Sequence, residues 1–338
     1  MEQELLSYIK NAQRILVTSH VSPDPDAICS SLLLANTIKA NFKDKSVFIS
    51  LENEPDALSF LHGYDRIEFK SLADSIKKNS PQLLIAVDSP NIKRCTRGGI
   101  DAVMQNLTAL GTKTVGIDHH QPDNSDVFDL YLNKTGPAAV QEIYEVCFDE
   151  LKLIKPSGYA ETTMFGLYSD TGGFVYKNTR PRRTFKLVAD LIDEGVNLES
   201  IHNKLHSYTS DHLKVLGELA TNVSGGKDYT YTYVSDDFYK QWQNDGKSPT
   251  VLRTACKMFV DDYIRNIDGR LWGFIVYQNP LLGEDGYSVS LRSVGGIVDV
   301  SAVAKKLGGG GHKPAAAAEV HVKSIQEAVA KVESAIAS

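Results

Sequence analysis

The chain reads as an α/β protein: an N-terminal domain on a mainly parallel sheet flanked by helices, a helical connector, and a smaller C-terminal α/β domain with a mixed sheet. Three observations predict this. Short apolar runs alternate with helix-length runs up to about residue 195, the rhythm of β-α-β units. One of them, Gln82-Leu-Leu-Ile-Ala-Val-Asp88, is apolar almost to its end, as strands covered on both faces are. Past residue 222 the rhythm changes to alternating polar and aromatic residues, beginning at Tyr229-Thr-Tyr-Thr-Tyr-Val234.

In order, Leu5 to Ala12 is helical and Arg14-Ile-Leu-Val-Thr-Ser-His20 is a short apolar strand. Ala27 to Ala40 is an Ala/Leu-rich helix, and Lys45 to Ser50 a second strand. Gln82 to Asp88 and Lys113 to Ile117 are the third and fourth, with helices between and after them, notably Ala138 to Leu151 and Tyr159 to Tyr168. Residues 1–195 form the first domain on this reading, 196–222 the helical connector, and 223–338 the second domain. There, Leu271 to Tyr277 and Tyr287 to Ser293 are strands and Val300 to Leu307 a helix.

Composition narrows the function. A chain of 338 residues suggests about two domains. No run of eighteen apolar residues is present, so no membrane span is expected. The start, Met-Glu-Gln-Glu-Leu-Leu, lacks the basic and apolar regions of a signal peptide. Cys29, Cys95, Cys147 and Cys256 are widely spaced and read as reduced, buried thiols of a cytoplasmic protein. A net charge of −6 argues against a generic duplex-binding protein, but not against a small anion in a local basic pocket.

The chemistry gathers at element ends. Val115-Gly-Ile-Asp118-His119-His120 delivers an acid and two imidazoles to one strand end. His20-Val-Ser-Pro-Asp24-Pro-Asp26 follows the first strand, where two prolines hold the backbone extended. Alternate side chains of an extended segment point opposite ways, so Asp24 and Asp26 could serve neighbouring metal ions. The competing reading of Asp26 is a cap on the helix that begins near Ala27. Asp88 ends the third strand, and Asp170-Thr-Gly-Gly ends an apolar helix; either acid alone is an ordinary turn former. In a parallel sheet such ends converge at the carboxyl edge, where ligands bind. Carboxylates with some imidazole suit two divalent ions, Mn²⁺ or Mg²⁺ before Co²⁺ or Zn²⁺.

His20-x-x-x-Asp24-x-Asp26, Asp88, Asp118-His119-His120 and Asp170 resemble the four motifs of the DHH phosphoesterase superfamily. The resemblance implies that His20, Asp24 and Asp88 hold one metal, and that Asp26, Asp88, His119 and Asp170 hold the other. Asp88 would bridge them. His120 would act on the substrate as phosphate ligand or proton donor, with Asp118 orienting a histidine. The second domain resembles the DHHA1 substrate-binding domain, with Arg292 on a strand and Gly308-Gly309-Gly310-Gly311-His312-Lys313 after a helix. That likeness implies that Arg292, Gly310, Gly311, His312 and Lys313 grip the substrate. The chain departs from the family's usual pattern at Pro314 to Ala318, and at Lys134-Thr135-Gly136-Pro137-Ala138, where relatives often carry a Ser-Thr or Ser-Ser pair.

The expectation is a hydrolase of the nanoRNase/pAp-phosphatase type, with short RNA or DNA oligonucleotides or 3′-phosphoadenosine 5′-phosphate (pAp) as substrate and Mn²⁺ as the foremost metal. Long strands would demand many basic contacts that the acidic balance does not supply. Inorganic pyrophosphatase, exopolyphosphatase and cyclic- or linear-dinucleotide phosphodiesterase are the alternatives, and a homodimer is left open.

Overall fold

The computed structural model describes residues 1–54, 58–120, 128–176 and 180–337. Gln121-Pro122-Asp123, directly after the paired histidines, lies outside the described residues. Among them the chain forms two compact units, Met1–His206 and Ser207–Ser338.

The first unit opens with α1 (Glu2–Asn11), β1 (Arg14–Thr18), α2 (Pro25–Asn41), β2 (Ser46–Leu51) and β3 (Ile67–Phe69). It continues through α3 (Leu72–Asn79), β4 (Leu83–Val87), α4 (Ile100–Leu110), β5 (Lys113–Ile117) and β6 (Leu130–Leu132). Four helices close it: α5 (Ala139–Tyr144, continued by a π-helical turn over Glu145–Glu150), α6 (Tyr159–Asp170), α7 (Pro181–Asp193) and α8 (Leu198–Leu205). The six strands pair in parallel in the order β3-β2-β1-β4-β5-β6. Successive residues of the strands enter different cores. Ile15, Val17, Ile85 and Val87 pack with α2, α5 and α6, while Leu16, Leu84 and Ala86 pack with α3 and α4. Both faces are therefore covered, which explains why β4 shows no polar alternation; each such side chain contributes roughly 1.5–3 kcal/mol on burial.

The order reverses between β1 and β4, which run outward in opposite senses along the sheet. A crevice forms at such a switch point, at the carboxyl ends of the strands. His20 follows β1 and Asp88 follows β4, so the topology brings two of the candidate residues to that crevice.

The second unit comprises α9 (Ser210–Thr221), β7 (Ser224–Gly225), β8 (Thr230–Tyr233), α10 (Asp236–Asn244), α11 (Pro249–Asp262), β9 (Trp272–Gln278) and β10 (Gly286–Ser293). It ends with α12 (Val300–Lys306), β11 (Gly310–His312), β12 (Ala315–His321) and α13 (Ile325–Ala337). Its sheet, in the order β11-β12-β10-β9-β8-β7, is mixed: β8 and β9 are parallel and the other pairs antiparallel. The stretch read as one connector divides. Ile201 of α8 lies in the first unit's core, and Val215 and Leu219 of α9 lie in a core of the second. No helix among the described residues is long and apolar enough to cross a membrane.

Candidate metal centre and its partner residues

Asp24, not Asp26, caps α2. Its backbone is extended and its carboxylate accepts the amide of Ala27 at 3.1 Å, with Pro25 as the first helical residue. The extended stretch expected through Asp26 thus ends at Asp24, because proline pre-sets the φ of a helix's first turn. Asp26 sits inside that first turn and is 1% exposed. Its carboxylate accepts the amides of Ala139 at 2.6 Å and Val140 at 3.0 Å, the open N-terminus of α5, whose own Ala138 offers no side-chain cap. Two orphan amides and the positive end of a helix offset part of the cost of burying that carboxylate.

Asp88 holds a left-handed backbone (φ +51°) just past β4, a strained choice that Asp tolerates better than most residues. The bend leaves its carboxylate between two imidazoles: His20 Nε2 lies 3.4 Å from Oδ2, and His119 Nε2 lies 3.4 Å from Oδ1. His119 Nε2 is also 3.4 Å from Asp170 Oδ2. Asp170 is the last residue of α6, where the helix dipole disfavours an acid, so its placement serves something other than the helix. Beyond it Gly172 (φ +58°) lies under the Tyr176 ring, which a Cβ would enter.

Three sets of ligand atoms fall within 4.8 Å of one another: His20, Asp24 and Asp88; Asp26, His119 and Asp170; and Asp88, Asp118, His119 and His120. All six residues expected at the metals are therefore brought together, and Asp24 and Asp26 join different sets. Asp118 has another task. It is fully buried and accepts the Tyr131 hydroxyl at 2.8 Å, while its Oδ1 stands 2.8 Å from His120 Nδ1. Asn133 donates to the His120 carbonyl, fixing the backbone of the same residue.

The electrostatics fit a cation. Burial works to raise the Asp88 carboxyl, but His119 and His20 outweigh it and hold it well below the usual range. For Asp26, burial and then Asp88 and Asp170 push the carboxyl up, and for Asp170 burial leads in pushing it to about 7. Burial pulls the His119 imidazole down, yet the surrounding Asp88, Asp170 and Asp26 drive it up to about 10. Like charges crowd together here. Asp88 Oδ1 is shielded from solvent and makes no hydrogen bond among the described residues. An anionic oxygen so placed, ringed by carboxylates and imidazoles, is the donor set of a divalent ion.

The second unit assembles its own group. Arg292 and His312 are both in register with Ala315, so the three lie in one row across β10, β12 and β11 and share a face. The glycine run is partly strand. Gly310 and Gly311 pair with Ala317 and Ala316, and a Cβ on Gly311 would come 2.5 Å from Ala316 Cα. Gly310 opens onto free space, and His312 and Lys313 are exposed. Arg292 Nε donates to Asp261 Oδ1 at 2.6 Å, and its Nη1 to the Leu291 carbonyl at 3.0 Å. Asp261, Tyr131 and Asn133 escaped the sequence reading. Tyr131 and Asn133 alternate along and just beyond a three-residue strand too short to show a period.

The DHH family N-terminal domain matches residues 14–167, and the DHHA1 domain matches residues 226–338. The bifunctional oligoribonuclease and PAP phosphatase NrnA of Bacillus subtilis is 26% identical over 95% of this chain and 94% of its own length. The Thermus thermophilus protein of the same name is 27% identical over 95% of this chain and 89% of its own. An exopolyphosphatase-related protein from Bacteroides fragilis shares the fold, with a TM-score of 0.83 at 22% identity, covering 99% of this chain and 95% of that one.

Proposed function

The chain belongs to the DHH/DHHA1 phosphoesterase superfamily, and on that premise we propose that it hydrolyses short oligonucleotides and pAp with two divalent ions, Mn²⁺ foremost. The superfamily is metal-dependent, and one observation carries the reading: the two oxygens of Asp88 face two different imidazoles, His20 and His119, at the same 3.4 Å. A carboxylate in that position can be shared by two ions.

His20, Asp24 and Asp88 would hold one ion, and Asp26, Asp88, His119 and Asp170 the other. Bound there, the ions would lower the pKa of a water and neutralise charge developing on phosphorus. The chain's residues do the rest. His120 donates a hydrogen bond or a proton to the departing oxygen, and Asp118 keeps its imidazole oriented and proton-rich through Nδ1. Asp26 orders α5 while offering its remaining lone pairs to the site. Arg292 and Lys313 supply positive charge and His312 a hydrogen bond for the non-reacting part of the nucleotide, Gly310 leaves room for it to approach, and Gly311 lets the strand that carries His312 lie close against Ala316. We assign the chemistry to the first unit and the grip to the second, and place the protein in the cytoplasm on its four free, buried cysteines.

The deciding experiment presents the purified chain and Mn²⁺ with pAp, pApA, a five-nucleotide RNA, a long RNA and pyrophosphate. Turnover of the first three above the last two supports the proposal. Preference for pyrophosphate would replace it with an inorganic pyrophosphatase.

A further inference from the structure

The first unit carries a cation close to the candidate metal centre that pairs with no acid among the described residues. Arg94 lies in the short 3₁₀ turn Ile92–Cys95 that follows Asp88. The Asn91 side chain accepts its amide at 3.0 Å, and its carbonyl accepts the amide of Val21 at 2.9 Å. The turn is thereby clipped to the residue beside His20. Val21 in turn accepts from Asn53, just past β2, so the carboxyl ends of β1, β2 and β4 are tied together here.

Three other cations of the unit are taken. Lys134 pairs with Glu2 and Glu150, Arg180 with Glu142 and Glu145, and Arg183 with Glu145 and Asp149. Arg94 is exposed, and among the described residues its side chain forms no ion pair or hydrogen bond. Charge gives it a purpose. Asp24, Asp26, Asp88, Asp118 and Asp170, when ionised, carry −5 against the +4 of two divalent ions. The net is −1, which repels a phosphate dianion unless another positive group stands nearby.

We propose that Arg94 is a phosphate-binding residue, its guanidinium contacting a non-bridging oxygen of the reacting phosphoryl group. This rests on the phosphoester reading above. Arg94 is tied to the β1 and β2 side of Asp88, whereas His120 follows β5 on the other side. The two therefore address opposite sides of the phosphoryl group, one its charge and the other its leaving oxygen. A residue that meets the reacting phosphoryl group serves every phosphoester alike, unlike one that grips a nucleoside.

Inorganic phosphate is the probe, titrated calorimetrically into the Mn²⁺-loaded full chain. Arg94→Ala is expected to weaken binding roughly 10–100-fold, the range of a hydrogen bond to a charged group. Arg94→Lys should restore part of it, as a point charge without the planar fork, and Arg97→Ala should change nothing. In Arg94→Ala, kcat/KM should fall by the same factor on p-nitrophenyl phosphate and on pAp, with Tm and the Mn²⁺ requirement unchanged. Unaltered phosphate affinity overturns the assignment, as does a loss that tracks a lower Tm or a higher Mn²⁺ requirement. If the wild type binds phosphate through Arg94 but ignores pAp, the nucleotide reading fails and the Arg94 assignment stands.

Discussion

Arg292 and Asp261 form an ion pair of 2.6 Å that turns the Nε edge of the guanidinium toward α11. The side chain is also tied through Nη1 to the Leu291 carbonyl, so it is held in one orientation rather than free to sweep. Arg292→Ala is expected to reduce kcat/KM roughly 10–100-fold on pAp and dinucleotides, and little on p-nitrophenyl phosphate. Because the substitution strands Asp261, the double variant Arg292→Ala with Asp261→Ala serves as the stability control. Equal losses on both substrates, or a fall in Tm without a kinetic change, would make the pair a purely structural one.

Asp88→Asn tests the bridge more cleanly than Asp88→Ala. Asparagine tolerates the left-handed backbone at this position, whereas alanine adds a strain of about 1–2 kcal/mol. The Asn variant should melt near the wild type yet bind fewer than two Mn²⁺ per chain, counted by electron paramagnetic resonance of free Mn²⁺. Its turnover should fall further than the roughly 10–100-fold typical of losing a supporting hydrogen bond. Two tightly bound ions in Asp88→Asn would refute a shared ligand.

His120→Ala should lower kcat by about 10²–10⁴ on every substrate, the usual span of general acid–base assistance. Asp118→Asn should lower kcat by a smaller factor and leave Mn²⁺ binding intact, since Asp118 spends its oxygens on His120 and Tyr131. Loss of Mn²⁺ in the Asp118 variant would instead make that carboxylate a ligand.

Much of this was legible in the residues, and the failures have physical causes. Polar groups at the ends of apolar strands marked the cluster of acids and histidines, because a doubly covered parallel sheet exposes only its strand ends. β3 and β6, of three residues each, were missed because nothing so short has a period. Ala315–His321 was missed because alanine disfavours strands, and because its partner was a glycine run that looks like a loop. The backbones approach too closely there for anything larger on Gly311, and pairing overrides propensity. The helix over 138–151 gives way to a π-helical turn after Tyr144, where Glu145 is drawn to Arg180 and Arg183. Those arginines lie far along the chain.

The turn that differs from the usual family pattern yields a stability test. Glu142 accepts the amides of Lys134 and Gly136, and a Cβ on Gly136 would come 2.4 Å from its Oε1. Gly136→Ala should destabilise the protein by about 1–3 kcal/mol, through overpacking and a displaced buried carboxylate. Gly98→Ala, with nothing within 4 Å of its Cβ, is the neutral control. Thermal melts of the two variants decide it; equal Tm values would mean that Glu142 yields at no cost.

The hydrogen bonds from Ala139 and Val140 to Asp26 join residues 113 and 114 positions apart. While the ribosome is still making the first third of the chain, Asp26 has no helix to rest against, and the partners His119 and Asp170 have yet to be made. The candidate centre therefore cannot be complete until Asp170 has been made, at the midpoint of the 338-residue chain. Until ions are bound there, the fold has to tolerate a pocket of mutually repelling acids. Scarcity of Mn²⁺ in the medium should consequently lower specific activity while leaving the yield of folded chain nearly unchanged, and late addition of the ion should recover the activity without refolding.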